Sequence, residues 1–240
     1  MAEPVLIVGA GPGDPGLLTL AGREAIGRAQ VLAYDSLVPS AIVDMAPADA
    51  QRIPVTRRGD PGAVPHTEIA ALMARKAGEG LRVVRVKGGD PFVYGRGHEE
   101  REELRALGVS ARVIPGLSAA LAAPACCGIP VISADLSGSV HIVSGNPRSG
   151  RGLELDYEAL VRVEGTLVFL MALDRLEEIC VGLLAASMPP HTPAALIEHA
   201  STPKQRRVDA TLETLGTAAR AAGVAEPAVI VIGAVCEATV

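Results

Sequence analysis

Hydrophobic and polar positions along the chain switch repeatedly between a strand period and a helix period. Short β-branched runs predict strands at Val5–Val8, Val31–Tyr34, Arg52–Val55, Arg82–Val86 and Arg112–Ile114 in the first half. The second half predicts them at Val140–Ser144, Thr166–Met171, Ala194–Glu198, Gln205–Ala210 and Ala228–Gly233. Between them Leu17–Arg28, Thr67–Gly78 and Glu99–Leu107 carry helical periodicity or a helix stop, the last closed by Gly108. Alternation of this kind predicts α/β architecture with largely parallel sheets. Val208, Ala210 and Leu212 alternate with polar residues after a Ser201-Thr202-Pro203 turn, so one hairpin and a mixed second sheet are expected. A joint at Pro115-Gly116 divides the pattern into lobes 1–115 and 116–240, and a cleft between two such lobes is the expected ligand site.

The first strand runs into Gly9-Ala10-Gly11-Pro12-Gly13-Asp14-Pro15-Gly16. A dinucleotide fingerprint places a third glycine where this chain has Asp14, so that a helix N-terminus can face a pyrophosphate. An acidic side chain there suits the helix dipole and competes with an anion for the same place. The turn therefore suits an uncharged or cationic ligand better than a phosphate, and a tight turn without a ligand is the alternative.

Composition narrows the remaining classes. Aromatic residues are 2% of the 240, with no Trp, and the net charge is −5. Neither stacking platforms for single strands nor a general attraction to phosphate backbones is available, which argues against nucleic acid. An anionic substrate would need a local basic patch. The four cysteines, Cys126, Cys127, Cys180 and Cys236, contain no C-x-x-C pair and read as buried inert thiols. The five histidines lack metal-ligand spacing, so no metal site is expected. The longest apolar stretch, Ala119 to Ile132, is interrupted by Pro124, Gly128 and Pro130, and the N-terminus lacks a leader pattern, so a soluble cytoplasmic protein away from membranes is expected.

Several segments combine into something more specific. The glycine turn is followed by Tyr34-Asp35-Ser36-Leu37-Val38, then Val86-Lys87-Gly88-Gly89-Asp90-Pro91-Phe92-Val93-Tyr94-Gly95-Arg96-Gly97, then Val113-Ile114-Pro115-Gly116-Leu117-Ser118-Ala119. Ala123-Pro124-Ala125, Gly128-Ile129-Pro130, Leu167-Val168-Phe169-Leu170-Met171 and Pro227-Ala228-Val229-Ile230-Val231-Ile232-Gly233 complete the order. Together they resemble the tetrapyrrole methylases, and within them the uroporphyrinogen-III C-methyltransferases, from about Val5 to Val235. The block from Lys87 to Gly97 is the most specific part.

The resemblance implies two α/β lobes, a homodimer, and S-adenosylmethionine folded into the cleft between the lobes. It also implies methylation of two pyrrole carbons of uroporphyrinogen III to give precorrin-2, on the way to sirohaem, cobalamin or haem d1. Matching motifs place the cofactor against Pro12, Gly88, Gly89, Asp90, Val93, Ser118, Ala119, Met171, Ala200 and Ala228. An ordinary strand-end turn also fits Gly88-Gly89-Asp90, and a buried strand residue is the plainer reading of Met171. Asp35 matches the family's proton acceptor, although the same residue could cap the next helix.

Departures from the family pattern bear on the substrate. Arg57 stands where a lysine is the family's proton donor. Arginine keeps its proton at any working pH, so Arg57 is read as anchoring a carboxylate or stabilising charge. Ser36 replaces an arginine, Ile132-Ser133-Ala134 replaces Thr-His-Arg, and Asn146 replaces a histidine. Several charged groups that would face an eight-carboxylate macrocycle are thereby absent. Two readings follow: a working methylase of uroporphyrinogen III or a related reduced tetrapyrrole, or a diverged paralogue that binds cofactor or macrocycle without that activity.

Overall fold

The structure is a computed structural model that describes residues 3–56, 64–65, 68–146 and 155–238. The chain divides after Ser118 into two compact units. In the first, β1 (Val5–Gly9), α1 (Leu20–Gly27), β2 (Val31–Asp35), α2 (Ser40–Val43) and β3 (Gln51–Thr56) lead into β4 (Val64–Pro65) and α3 (Ile69–Gly78). β5 (Val83–Lys87), α4 (Gly97–Ala106) and β6 (Ala111–Ile114) complete it. The strands form one parallel sheet in the order β4-β3-β2-β5-β1-β6. Strands β1, β2 and β5 are rich in buried apolar residues because both faces of the sheet are covered, with Arg85 and Lys87 of β5 as buried charges among them. Val8, Leu32 and Val84 pack one face with Ile26 and Ile42, while Ile7, Ala33 and Val83 pack the other with Ile69, Met73 and Leu104.

The second unit contains α5 (Ala119–Cys126), β7 (Val140–Ser144), α6 (Tyr157–Arg162), β8 (Thr166–Leu170) and α7 (Leu176–Ala185). β9 (Pro193–Glu198), β10 (Arg206–Thr211), α8 (Leu215–Ala222) and β11 (Ala228–Ile232) follow. The sheet order is β10-β9-β11-β8-β7. Only β7 and β8 run parallel; β9, β10 and β11 pair antiparallel, as the hairpin pattern predicts for this lobe. The first unit is thus wholly parallel and the second mixed, as the two patterns lead one to expect. A turn as short as the one after Glu198 can join only antiparallel neighbours, since a parallel pair needs a crossover of a dozen residues or more.

Three local readings change. The helix expected over Leu17–Arg28 is shorter, Leu20–Gly27: Asp14 caps a short turn of 3-10 helix at Pro15–Leu17 by accepting from the Gly16 amide at 2.7 Å, and α1 starts only after its own cap, Thr19. The acid of the glycine turn thus serves its own backbone. Pro124 lies inside α5 rather than breaking it, and the chain turns at Gly128, whose φ is +72°. The four thiols are not all buried, because Cys126 is exposed at the end of α5 and Cys127 half-buried beside it.

Burial pushes the Cys180 thiol up to about 11 and the Cys236 thiol up to about 12 from an ordinary 9.0. Cys126 should therefore react first with a disulfide reagent at pH 8, Cys127 more slowly, and Cys180 and Cys236 only after unfolding. Because these two thiols ionise more readily in the unfolded chain, their share of stability is complete below pH 9 and disappears as pH rises toward 11 and 12. Mass spectrometry of labelled peptides checks the order, and early labelling of Cys236 would contradict it.

Candidate active site

In a parallel sheet the ligand side is the edge where the strands end, because the loops there leave the strands and can converge. In the first unit Gly9 pairs in register with Lys87, and Tyr34 with Val86, so β1, β2 and β5 finish at a common edge. Their loops are locked together by backbone. The amides of Gly11 and Gly89 each donate to the other's carbonyl, at 3.1 and 2.8 Å. A Cβ on Gly9 would lie 2.6 Å from the Gly116 nitrogen and from the Gly89 carbonyl oxygen, so only glycine permits this approach.

Asp90 closes the same junction. Its Oδ1 accepts from the Phe92 amide at 2.8 Å and its Oδ2 from the Gly116 amide at 3.0 Å, which joins the loop after β5 to the loop after β6. Gly95 and Gly97 fold tightly over Pro91, where a Cβ would come within 2.8 and 2.7 Å of its carbonyl oxygen. These contacts explain the glycines and the acid of the Lys87 to Gly97 block in terms of loop shape. Pro12, Gly88, Gly89, Asp90, Val93 and Ser118 all belong to these loops.

Beneath the loops lies a buried charge cluster. Arg85 and Lys87 leave the same face of β5 with side chains 0% and 2% exposed. Arg85 donates to Glu100 through Nε and Nη2, at 3.2 Å each, and through Nη2 to Asp35 as well; its Nη1 donates to the Val86 carbonyl at 3.1 Å. Lys87 Nζ donates to Glu100 Oε1 at 2.6 Å and lies 3.6 Å from Asp35 Oδ2. Two cations and two carboxylates balance, and burial of each is tolerable only because the others are present. The Asp35 side chain is 20% exposed, so it is the member of the cluster that reaches the surface, at the end of β2. It does not cap the helix that follows, whose cap residue is Pro39. Arg57 lies outside the described residues.

The second unit has a corresponding edge. Leu170 pairs with Val229 and Ser144, and Glu198 with Ala228, so the end of β8, the start of β11 and the end of β9 adjoin. Met171, Ala200 and Ala228 therefore sit along one edge of this sheet, while Ala119 opens α5. Met171 has φ +52°, a rare conformation for a bulky residue, and its sulfur accepts from Asn146 Nδ2 at 3.2 Å. His199 and Ser201, on either side of buried Ala200, are also left-handed, with φ of +47° and +62°. Strained backbone of this kind clusters at ligand sites.

Sequence reasoning missed Arg85, Lys87 and Glu100. The signal was present: two cations at i and i+2 in an otherwise apolar central strand must share a buried face and need acids to meet them. A cavity of about 280 Å³ lies elsewhere, around Leu6, Arg28, Arg82 and Arg112, and no predicted site residue lines it. Among the described residues no group of three or more His, Cys, Asp and Glu is placed to hold a metal ion, and no helix is long and apolar enough to cross a membrane.

Comparison with known proteins gives the family and the fold. The family model described as tetrapyrrole (corrin/porphyrin) methylases matches residues 4–216. A siroheme synthase of Methylococcus capsulatus is 43% identical over 231 residues, which are 96% of this chain and 49% of that protein. The porphyrin biosynthesis protein HemD of Ruminiclostridium josui is 40% identical over 232 residues, 97% of this chain and 46% of that protein. The chain thus spans about half the length of these curated relatives. Among solved structures, the uroporphyrin-III C-methyltransferase of Thermus thermophilus, complexed with S-adenosylhomocysteine, superposes with a TM-score of 0.82 at 36% identity, covering 98% of this chain and 94% of that one. The cobalt precorrin-4 methyltransferase CbiF gives a TM-score of 0.88 at 25% identity, covering 98% and 96%.

If Asp90 is the clasp of the loop junction, Asp90→Ala leaves two backbone amides without their acceptor and should cost about 1–3 kcal/mol of stability. Asp90→Asn keeps an acceptor oxygen and should cost less. Urea unfolding measures both, and an unchanged midpoint for Asp90→Ala would remove the clasp from the account.

Proposed function

The chain belongs to the tetrapyrrole (corrin/porphyrin) methylase family, and on that premise we propose that it is an S-adenosylmethionine-dependent C-methyltransferase acting on uroporphyrinogen III to give precorrin-2. The observation that carries this reading is Asp35: a carboxylate gripped by a fully buried arginine, at the surface of the strand-end edge, beside the Gly88-Gly89 turn. A base on so rigid a support is pre-oriented for a proton that must leave a substrate in one direction.

The residues present fit the methyl donor. Gly89 takes a φ of +65°, and Gly9 and Gly116 approach so closely that these loops can present backbone rather than side chains to a compact ligand. Asp14 is occupied with its own turn, and the loops offer small side chains and backbone rather than a basic pocket for phosphate. We assign cofactor contacts to Pro12, Gly88, Gly89, Asp90, Val93 and Ser118 in the first unit, and to Ala119, Met171, Ala200 and Ala228 in the second. Bound S-adenosylmethionine supplies an electrophilic methyl group on a sulfonium. The protein then has to hold an electron-rich ring carbon in line with it and take up the proton the macrocycle releases, which falls to Asp35. Arg57 serves as an electrostatic anchor for a substrate carboxylate, because a guanidinium binds a carboxylate through paired hydrogen bonds without giving up its proton.

CbiF, named for a different tetrapyrrole, shares the fold as fully as the uroporphyrin-III enzyme does, so fold alone does not choose the macrocycle. Support for uroporphyrinogen III comes from the higher identity to the Thermus enzyme and the siroheme synthases. The family resemblance supports a homodimer, and an exposed, unpaired Cys126 fits the reducing cytosol.

Calorimetry should detect S-adenosylhomocysteine binding and none of NAD. Asp35→Asn should leave that affinity nearly unchanged while lowering turnover by roughly two to four orders of magnitude. Binding of NAD alone would overturn the cofactor, and near wild-type turnover of Asp35→Asn would reduce Asp35 to a structural ion-pair partner.

A further inference from the structure

The two oxygens of Asp35 are in different situations. Oδ1 is bonded to Arg85 Nη2, whereas Oδ2 lies 3.6 Å from Lys87 Nζ, beyond hydrogen-bond distance, and accepts no hydrogen bond among the described residues. Lys87 is held off by Glu100, whose Oε1 takes the ammonium at 2.6 Å while both its oxygens also engage Arg85. Glu100 is buried in the first turn of α4. That helix starts where Gly97 folds back on Pro91, donating to its carbonyl at 2.9 Å, so the loop that leaves β5 at Lys87 returns Glu100 onto the cations it left behind.

We propose that Glu100 is a positioning residue for Asp35: by sequestering the Lys87 ammonium it keeps Asp35 Oδ2 available as the proton-accepting oxygen. This rests on the reading of Asp35 as the proton acceptor. Without the Glu100 charge, two buried cations share one carboxylate, and the flexible ammonium can close the short remaining gap more readily than the planar guanidinium, which is fixed by its bond to Val86. Asp35 Oδ2 would then be tied into the interior. The charged groups of the cluster are Arg85 and Lys87 from β5, Asp35 from β2 and Glu100 from α4.

Glu100→Gln tests this, because the amide keeps the shape and loses the charge. Its crystal structure should show Lys87 Nζ within about 3 Å of Asp35 Oδ2. Its kcat for uroporphyrinogen III should fall on the order of a hundredfold, with S-adenosylhomocysteine affinity unchanged. Glu100→Gln combined with Lys87→Met removes the ammonium that Glu100 restrains and leaves Arg85 balanced by Asp35, so it should recover at least about tenfold of the lost kcat. A purely structural role for Glu100 gives no such rescue. Should the single variant not fold, the charge-balanced double variant is compared with wild type directly: a kcat within about tenfold supports the proposal, and a loss as large as that of Asp35→Asn overturns it. The proposal also fails if Lys87 stays away from Oδ2 in Glu100→Gln, or if the double variant is as slow as the single. Asp35→Asn in the same assay separates the two levels. If it retains turnover, the proton-acceptor reading fails; if it is inactive while Glu100→Gln is fully active, only the role of Glu100 fails.

Discussion

Arg85 and Lys87 project from one face of β5, a strand hydrogen-bonded on both sides, and two cations without access to water require two anions within reach. That requirement ties together parts of the first unit that are distant in sequence. It fixes the end of β2 through Asp35 and the first turn of α4 through Glu100. Replacing the whole cluster by apolar residues could leave the fold intact, since well-packed hydrophobic side chains often match a buried ion network in stability. Its presence is better explained by what it holds: a carboxylate that reaches the surface at the ligand edge on a support that cannot swing.

Around this cluster the loops are shaped by backbone contacts rather than side chains. Gly9, Gly89 and Gly116 meet so closely that no Cβ fits, and Asp90 clasps the two loops that carry the latter pair. The result is a floor of peptide groups beside Asp35, suited to close approach by a compact ligand. The second unit reaches a similar end by different means. Its mixed sheet brings Met171, Ala200 and Ala228 to one edge, and left-handed backbone at Met171, His199 and Ser201 sets the turns there.

Much of this was legible in the residues. The strands of the first unit follow directly from apolar runs such as Val31–Tyr34, because a parallel sheet covered on both faces leaves no polar alternation to confuse the period. The block from Lys87 to Gly97 gave the family, and its glycines proved to mark real close approaches. Other features depend on three-dimensional proximity. Helices α5 to α8 went unread: α5 is apolar all round and contains Pro124, which lies within a turn of its end, whereas α6 and α8 do carry boundary signals in the Asp156 cap and Gly223. The two-residue β4 is too short for any periodicity. Asp14 was read as a poor neighbour for phosphate, and its bond to Gly16 shows that it also holds its own turn. The partnership of Glu100 with Lys87 and Arg85 spans the whole loop between strand and helix, and only the fold reveals which of the glutamates on α4 turns inward.

The altered positions Ser36, Ser133, Ala134 and Asn146 belong neither to the charge cluster nor to the loop junction, and under the proposed function they are the positions that would meet the macrocycle. Asn146 holds the Met171 sulfur. The most direct measurement is the mass of freshly reduced uroporphyrinogen III after incubation with the purified protein and isotope-labelled S-adenosylmethionine. The account predicts two labelled methyl groups on the macrocycle. An unchanged mass from folded protein that calorimetry shows to be competent to bind the cofactor would contradict it.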